Sequence, residues 1–337
     1  MSGVRDLGGA WIPGERHTTV TVGTFDGVHR GHQAVLAEIV RRARATDRAS
    51  VLVTFEPHPL QIVAPERAPD LLTTAAEKRL LWPLFGLDYV VEVPFTESLR
   101  RMEPEAFVRR ILVERLRVGE LVIGYDHGFG KDRKGDVDVL RSLGESEGFE
   151  VDVVGAVGVE GNRAEERAAI SSTEIRRAVA RADFETATRG LARPYSAVGE
   201  VVHGAGRGEA LGYATANVRT EPKKCLPPDG VYAVRMELDG EAFDGMANLG
   251  ASPTFDDFER RLEVHAFDWS GGSLYGARPR VEFVERLRAV ERFDHAEALV
   301  EQIERDEADA RAALARPESG RPAVSTPAGV VARPESP

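Results

Sequence analysis

Two stretches of this 337-residue chain carry residue types whose spacing could do chemistry on phosphates. The first runs Gly23-Thr24-Phe25-Asp26-Gly27-Val28-His29-Arg30-Gly31-His32, at the junction of an apolar β-type run and a helical pattern. A strand that opens into a helix this way presents bare backbone amides at a helix N-terminus, which suits a phosphate chain. His29 and His32 are three apart and share a face of the first turn, and Gly31 between them lets an anion approach the backbone. An imidazole can donate to a phosphate oxygen and stabilise the charge that grows there. A strand-to-helix turn with two surface histidines is the plain alternative. A zinc site is disfavoured, because a third His or Cys at ligand spacing and the Glu of a zincin motif are both missing. Further on, Ser171-Ser172-Thr173, with Arg176 one turn later, reads as a helix start whose hydroxyls and amides either cap the helix or bind phosphate.

The second stretch is His203-Gly204-Ala205-Gly206-Arg207-Gly208 followed by Leu211-Gly212-Tyr213-Ala214-Thr215-Ala216-Asn217. It combines a glycine-rich loop (Gly204, Gly206, Gly208) with a hydroxyl and an amide two residues apart. In extended chain Thr215 and Asn217 point to one side, and hard oxygen ligands suit Mg2+ that keeps waters and phosphate oxygens as its other ligands. Neither a Walker A motif nor a protein-kinase glycine loop is present. In Leu262–Asp268 the period of two puts Leu262, Val264 and Ala266 on a core face and Glu263 and His265 on the other.

These residues need elements to hold them. From Thr18 to about Leu191, runs such as Thr19–Phe25, Ser50–Phe55, Asp88–Val93, Glu120–Gly124 and Glu150–Gly155 read as strands. They alternate with amphipathic helices such as Gln33–Arg44 and Pro104–Leu116. Such alternation predicts an α/β domain with a doubly wound parallel sheet, whose ligands sit at the carboxyl ends of the strands. After Arg193-Pro194 the strands become short and turn-rich: Ala197–Val202, Val231–Leu238, Leu262–Trp269 and Arg280–Val284. This texture predicts a mostly antiparallel barrel or sandwich closed by a helix over Ala296–Leu314, with Asp294 and Glu297 as a capping-box-like start. From Arg316 onward Pro, Ser, Gly and Ala dominate and Ala-Arg-Pro-Glu-Ser occurs twice, which predicts a disordered tail. The expected domains are 1–190, 191–315 and the tail 316–337.

Composition narrows the function classes. Hydrophobic residues make up 42% and charged residues 29%, ordinary globular usage with enough chain for two cores. Cys225 is the only cysteine, so an intramolecular disulfide or a multi-thiolate metal site is excluded and a reducing cytoplasm is expected. The net charge of −11, with Lys and Arg dispersed along the helices, disfavours a nucleic-acid partner. No signal pattern opens the chain and no run of about 18 apolar residues could span a bilayer. A soluble monomer or weak homo-oligomer with no membrane partner is expected.

Gly23–His32 resembles the phosphate-binding signature of the nucleotidyltransferase superfamily, in the version found in bacterial bifunctional riboflavin kinase/FAD synthetases. Thr54-Phe55-Glu56-Pro57-His58-Pro59, Gly124-Tyr125-Asp126-His127-Gly128-Phe129-Gly130 and Ile170–Arg176 resemble further segments of that family in the same order. Gly212–Asn217 resembles its riboflavin kinase signature, with Ala214 where the family usually has Pro, and Asn248–Phe255 and Leu262–Asp268 also look like it. The resemblance implies that Gly23, Thr24, His29, His32, Ser172, Thr173 and Arg176 hold the phosphates of ATP, with Asp126 near the nucleotide or its magnesium. It implies that Thr215 and Asn217 hold Mg2+ beside the glycine loop and that Glu263 is the general base of the kinase. The implied ligands are riboflavin, FMN, FAD and ATP, and His58 is implied either beside the flavin or in a Pro-locked loop.

Overall fold

The computed structural model describes residues 3–6, 16–125, 137–158, 169–204, 213–251, 260–269 and 271–316. Asp126, Gly206, Gly208 and the tail from 317 onward lie outside the described residues. The chain divides into two compact units between Ser172 and Thr173.

In the first unit six parallel strands stand in the order β1-β4-β3-β2-β5-β6. They are β1 (Gly3–Asp6), β2 (Thr18–Val22), β3 (Ala49–Glu56), β4 (Tyr89–Pro94), β5 (Val118–Gly124) and β6 (Glu150–Val154). The helices are α1 (Arg30–Ala45), α2 (Pro59–Val63), α3 (Ala75–Leu81), α4 (Glu97–Arg100), α5 (Pro104–Phe107) and α6 (Val137–Glu147). The apolar runs of β2, β3 and β5 are rich in β-branched residues and buried on both faces, as a parallel sheet demands. On β3 the period of two is visible: Val51 and Val53 join one core with Phe107, Val108 and Ile111, while Leu52 joins the other with Leu36, Ile39 and Trp82. Each such side chain contributes about 1.5–3 kcal/mol by leaving water. From β2 the chain moves outward on one side through β3 and β4, with the first strand β1 outside β4, and then on the other side through β5 and β6. The order therefore reverses beside β2, and the crevice beyond the carboxyl ends of β2 and β5 is where such sheets bind ligands.

Two departures from the expected elements occur here. The edge strand β1 pairs with β4 from Gly3↔Tyr89 to Asp6↔Glu92; four residues give too short a pattern to read. The expected helix over Pro104–Leu116 is α5 followed by a π-helical turn over Val108–Val113. The same apolar stripe is buried, but the wider turn re-aims it onto the sheet.

The second unit opens with the rest of α7 (Ser172–Ala180) and α8 (Phe184–Leu191), then forms a closed antiparallel barrel. Its strands are β7 (Ser196–Val202), β8 (Ala216–Thr220), β9 (Gly230–Leu238), β10 (Glu241–Ala251), β11 (Arg260–Ala266) and β12 (Arg280–Arg288), in the order β10-β11-β8-β7-β12-β9. Closure removes the exposed edges that a sandwich would leave. Tyr232, Val234 and Met236 are fully buried. Phe184 of α8 stacks on Phe283 and meets Tyr232 edge-on, so α8 packs on the barrel. Helix α9 (Ala296–Leu314) covers the barrel with Ala310, Ala313 and Leu314 against Ala233, Met246 and Phe267. Its expected Asp294–Glu297 capping box is absent: His295 is the N-cap, without a side-chain cap bond. The helix is held instead by packing, by the Arg288–Asp306 ion pair at 2.7 Å, and by Arg235 donating to the Leu314 carbonyl at 3.1 Å.

Candidate functional site

In the first unit, the loop between β2 and α1 is built from close contacts. Gly23 N–H donates to the Val53 carbonyl at 3.0 Å, and a Cβ on Gly23 would come within 2.9 Å of the Phe25 ring. Phe25 and Val28 have φ of 49° and 42°, left-handed conformations that cost a non-glycine residue about 1–3 kcal/mol each and persist only where surroundings enforce them. The enforcement comes from a distant segment. Thr73 Oγ1 accepts from Gly27 N–H at 2.8 Å, and Thr73 N–H donates to Asp26 Oδ1 at 3.0 Å.

That loop delivers the two histidines. His29 is the N-cap of α1, with no side-chain cap bond and no acidic residue in the first turn. The imidazoles of His29 and His32 stack at 3.7 Å between centroids, inclined by 22°, and Phe25 braces His32 at 4.9 Å. Gly31 eases this stack, since a Cβ there would sit 3.2 Å from the His29 ring and press on it. Two imidazoles on one wall of a cavity can donate to the same phosphate chain.

The cavity measures about 890 Å³, large enough for a nucleotide-sized ligand. Gly23, Thr24, His29 and His32 line one side, and Phe55, Pro59, Leu60, Val63 and Phe95 give an apolar slot, with Arg100 and Arg101 also lining the cavity. Gly124 and Tyr125 at the end of β5 complete the crevice beside β2. His58 lines the cavity and also accepts from Leu60 N–H at 3.2 Å as the N-cap of α2. Ser172 comes to the loop as well: its hydroxyl donates to the Asp26 carbonyl at 2.8 Å. Thr173 and Arg176 follow it on α7, within the second unit. The contributions of Thr73 and Lys78 escape sequence reasoning, since they act on the loop across 46 and 54 residues.

In the second unit the register of the barrel makes a site from residues far apart in sequence. Glu263 on β11 stands directly opposite Asn217 on β8 and opposite Asn248 on β10. Directly opposed residues have Cβ atoms about 4.5–5.5 Å apart on the same face. Leu262 and Val264 point the other way into the barrel, each 1% exposed. Thr215 is exposed and precedes β8. Asn217 is 7% exposed, and its Oδ1 is buried without a hydrogen-bond partner. An orphaned buried carbonyl oxygen is costly, and a hard cation would satisfy it. Gly204 lies flush against this amide: a Cβ there would be 2.1 Å from Nδ2 and 2.5 Å from Cγ of Asn217. His265 lies 2.8 Å through Nδ1 from the Ala214 carbonyl, a bond in which the imidazole N–H donates. The imidazole thereby anchors the backbone beside Thr215. Among the described residues no group of three or more His, Cys, Asp or Glu could hold a metal.

Comparison with known proteins covers both units. The FAD synthetase family profile matches residues 12–173 and the riboflavin kinase profile residues 191–314. A bifunctional riboflavin kinase/FMN adenylyltransferase of Pseudomonas fluorescens is 41% identical over 92% of this chain and 96% of its own length. The protein of that description from Escherichia coli K12 is 36% identical over 87% and 91%. A crystal structure described as a macrolide-efflux protein from Streptococcus pneumoniae superposes with a TM-score of 0.75 at 30% identity, covering 88% of this chain and 95% of that one. In the present chain no helix among the described residues is long and apolar enough to cross a membrane.

Proposed function

This chain belongs to the bifunctional riboflavin kinase/FMN adenylyltransferase family, and on that premise we propose how its two sites divide the work. The enzyme phosphorylates riboflavin to FMN with ATP and then adenylylates FMN to FAD with release of pyrophosphate. Residues 1–190 carry the adenylyl transfer and 191–315 the kinase. The observation that carries this reading is the separation of chemistries: stacked imidazoles on a nucleotide-sized cavity in one unit, a carboxylate opposite an orphaned amide oxygen in the other.

In adenylyl transfer an FMN phosphate oxygen attacks the α-phosphorus of ATP, and the bond to the pyrophosphate oxygen breaks. His29 and His32 donate to phosphate oxygens and stabilise the charge that develops on them. Gly23 and Thr24 present backbone to the same chain, and the family resemblance assigns Ser172, Thr173, Arg176 and Asp126 to nucleotide binding as well. The apolar slot of Phe55, Leu60 and Phe95 is suited to the flavin ring.

In the kinase Glu263 accepts the proton of the ribityl 5′-hydroxyl as that oxygen attacks the γ-phosphorus and ADP leaves. Gly204, Gly206 and Gly208 cradle the phosphates. Thr215 and Asn217 would hold Mg2+, which when bound neutralises phosphate charge; the orphaned Asn217 Oδ1 supports that fit. The enzyme works in the cytoplasm as a monomer or weak homo-oligomer, without nucleic-acid or membrane partners.

Incubating the protein with riboflavin, ATP and Mg2+ should yield FMN first and then FAD with pyrophosphate. Failure to convert riboflavin, or failure to consume added FMN, would remove the corresponding half of the reading. A sharper check concerns Gly204. Gly204→Ala forces the Asn217 amide out of its row with Glu263, so riboflavin phosphorylation should fall about 100-fold, the usual consequence of misplacing a reacting group by an ångström. FMN adenylylation by the same preparation should be unchanged. Wild-type kinase activity in this variant would show that Asn217 holds nothing essential.

A further inference from the structure

The Gly23–Val28 loop is gripped on its far side by a buried cation. Lys78 is 5% exposed on α3, a helix whose start is fixed by a complete capping box between Thr74 and Glu77. Its ammonium donates to the Thr24 carbonyl at 3.4 Å, and Thr54 Oγ1 donates to that same oxygen at 3.4 Å. Thr24 and Phe25 face the cavity, while Lys78 reaches the loop from behind its wall. Burying an ammonium is unfavourable unless opposite charge and hydrogen bonding compensate it. The compensating groups are Asp26 on the loop, Glu56 at the end of β3 and Glu92 on β4, with Arg79 on the same helix opposing them. Thr73, five residues before Lys78, ties Asp26 and Gly27 from the same segment.

We infer that Lys78 is a positioning residue of the adenylyl-transfer site. With Thr73 it locks the loop in the left-handed conformations at Phe25 and Val28 that aim His29 and His32 at the nucleotide phosphates. This rests on the adenylylation reading above. An exposed lysine could not serve, because water would replace its bond to Thr24 at little cost. A neutral side chain would leave the Thr24 carbonyl without its charged donor.

A titration consequence follows. Burial pushes the Lys78 ammonium below the ordinary lysine value, with the three carboxylates opposing that shift. The charged form holds the loop, so the grip is strongest below the lowered pKa and weakens as pH rises through it, a neutral amine being the poorer donor. Adenylylation should therefore show an alkaline fall that begins below the ordinary lysine range. Riboflavin phosphorylation should lack that fall.

The test uses full-length Lys78→Met and Lys78→Arg, assayed for both reactions across pH, with thermal melting as a folding control. Lys78→Met should lower kcat for FMN adenylylation about 100-fold, with KM for ATP changed far less and riboflavin phosphorylation preserved. Lys78→Arg, which keeps its charge at every accessible pH, should recover at least part of the rate and lose the alkaline fall. If Lys78→Met adenylylates like wild type, or if Lys78→Arg is no better than Lys78→Met at any pH, the inference is overturned. If wild type itself does not adenylylate FMN, the failure belongs to the functional reading and not to Lys78.

Discussion

Replacing His29 and His32 together by alanine is expected to lower FAD formation from FMN by at least about 1,000-fold, since one preorganised donor to a developing oxyanion is worth about 100–1,000-fold alone. The two losses should not multiply. The rings stack at 3.7 Å, so removing either ring frees the other to leave its aim. Groups in direct contact couple in this way. Each single alanine variant should thus lie close to the double variant. The effect should fall on kcat rather than on the KM for FMN, because the apolar slot that would bind the flavin lies on other residues of the cavity. Fed with riboflavin, the double variant should accumulate FMN, and an unchanged thermal melt separates loss of chemistry from loss of fold. The readouts are pyrophosphate release and chromatographic separation of FMN from FAD. FAD formation at the wild-type rate would mean that these imidazoles are a structural pair only.

The histidine pair is legible because it is local: ten consecutive residues supply the loop, its glycines and the helix start. The central parallel strands are legible for a similar reason, since buried runs rich in β-branched residues, such as Val51-Leu52-Val53, leave few alternatives. What could not be read is whatever depends on two distant segments meeting. Lys78 and Thr73 sit in an unremarked helix start, and their value comes from a loop some 50 residues away. β10 was missed because Gly245 and Asn248 have low strand propensity. Gly245 is nevertheless required, as a Cβ there would lie 2.5 Å from the His265 carbonyl on β11. The π-helical turn at Val108–Val113 defeats periodicity reading, because six residues are too few to separate it from an ordinary helix. The expected cap at Asp294 failed by one residue, as helix ends do when packing decides them.

The kinase site shows what register adds to a pattern. Period-two reading put Glu263 on the face opposite Leu262 and Val264, which is where most exposed carboxylates are merely solvated. The barrel sets it between Asn217 and Asn248 on neighbouring strands; on the proposed reading Asn217 would hold the cation and Glu263 would deprotonate the attacking hydroxyl. Glu263→Gln keeps the size and the polar edge of the side chain and removes only its basicity. Riboflavin phosphorylation should fall about 100–10,000-fold, the range of a positioned general base, with little change in KM for riboflavin or ATP. Adenylylation of added FMN should proceed at the wild-type rate, because the other unit is untouched. The variant would then make FAD from FMN but not from riboflavin, the mirror image of the histidine variant. Mixing the two variants should restore riboflavin-to-FAD conversion, provided FMN released by one molecule reaches another. If Glu263→Gln phosphorylates riboflavin normally, the proton leaves by another route and the Asn217–Glu263 row serves the barrel alone.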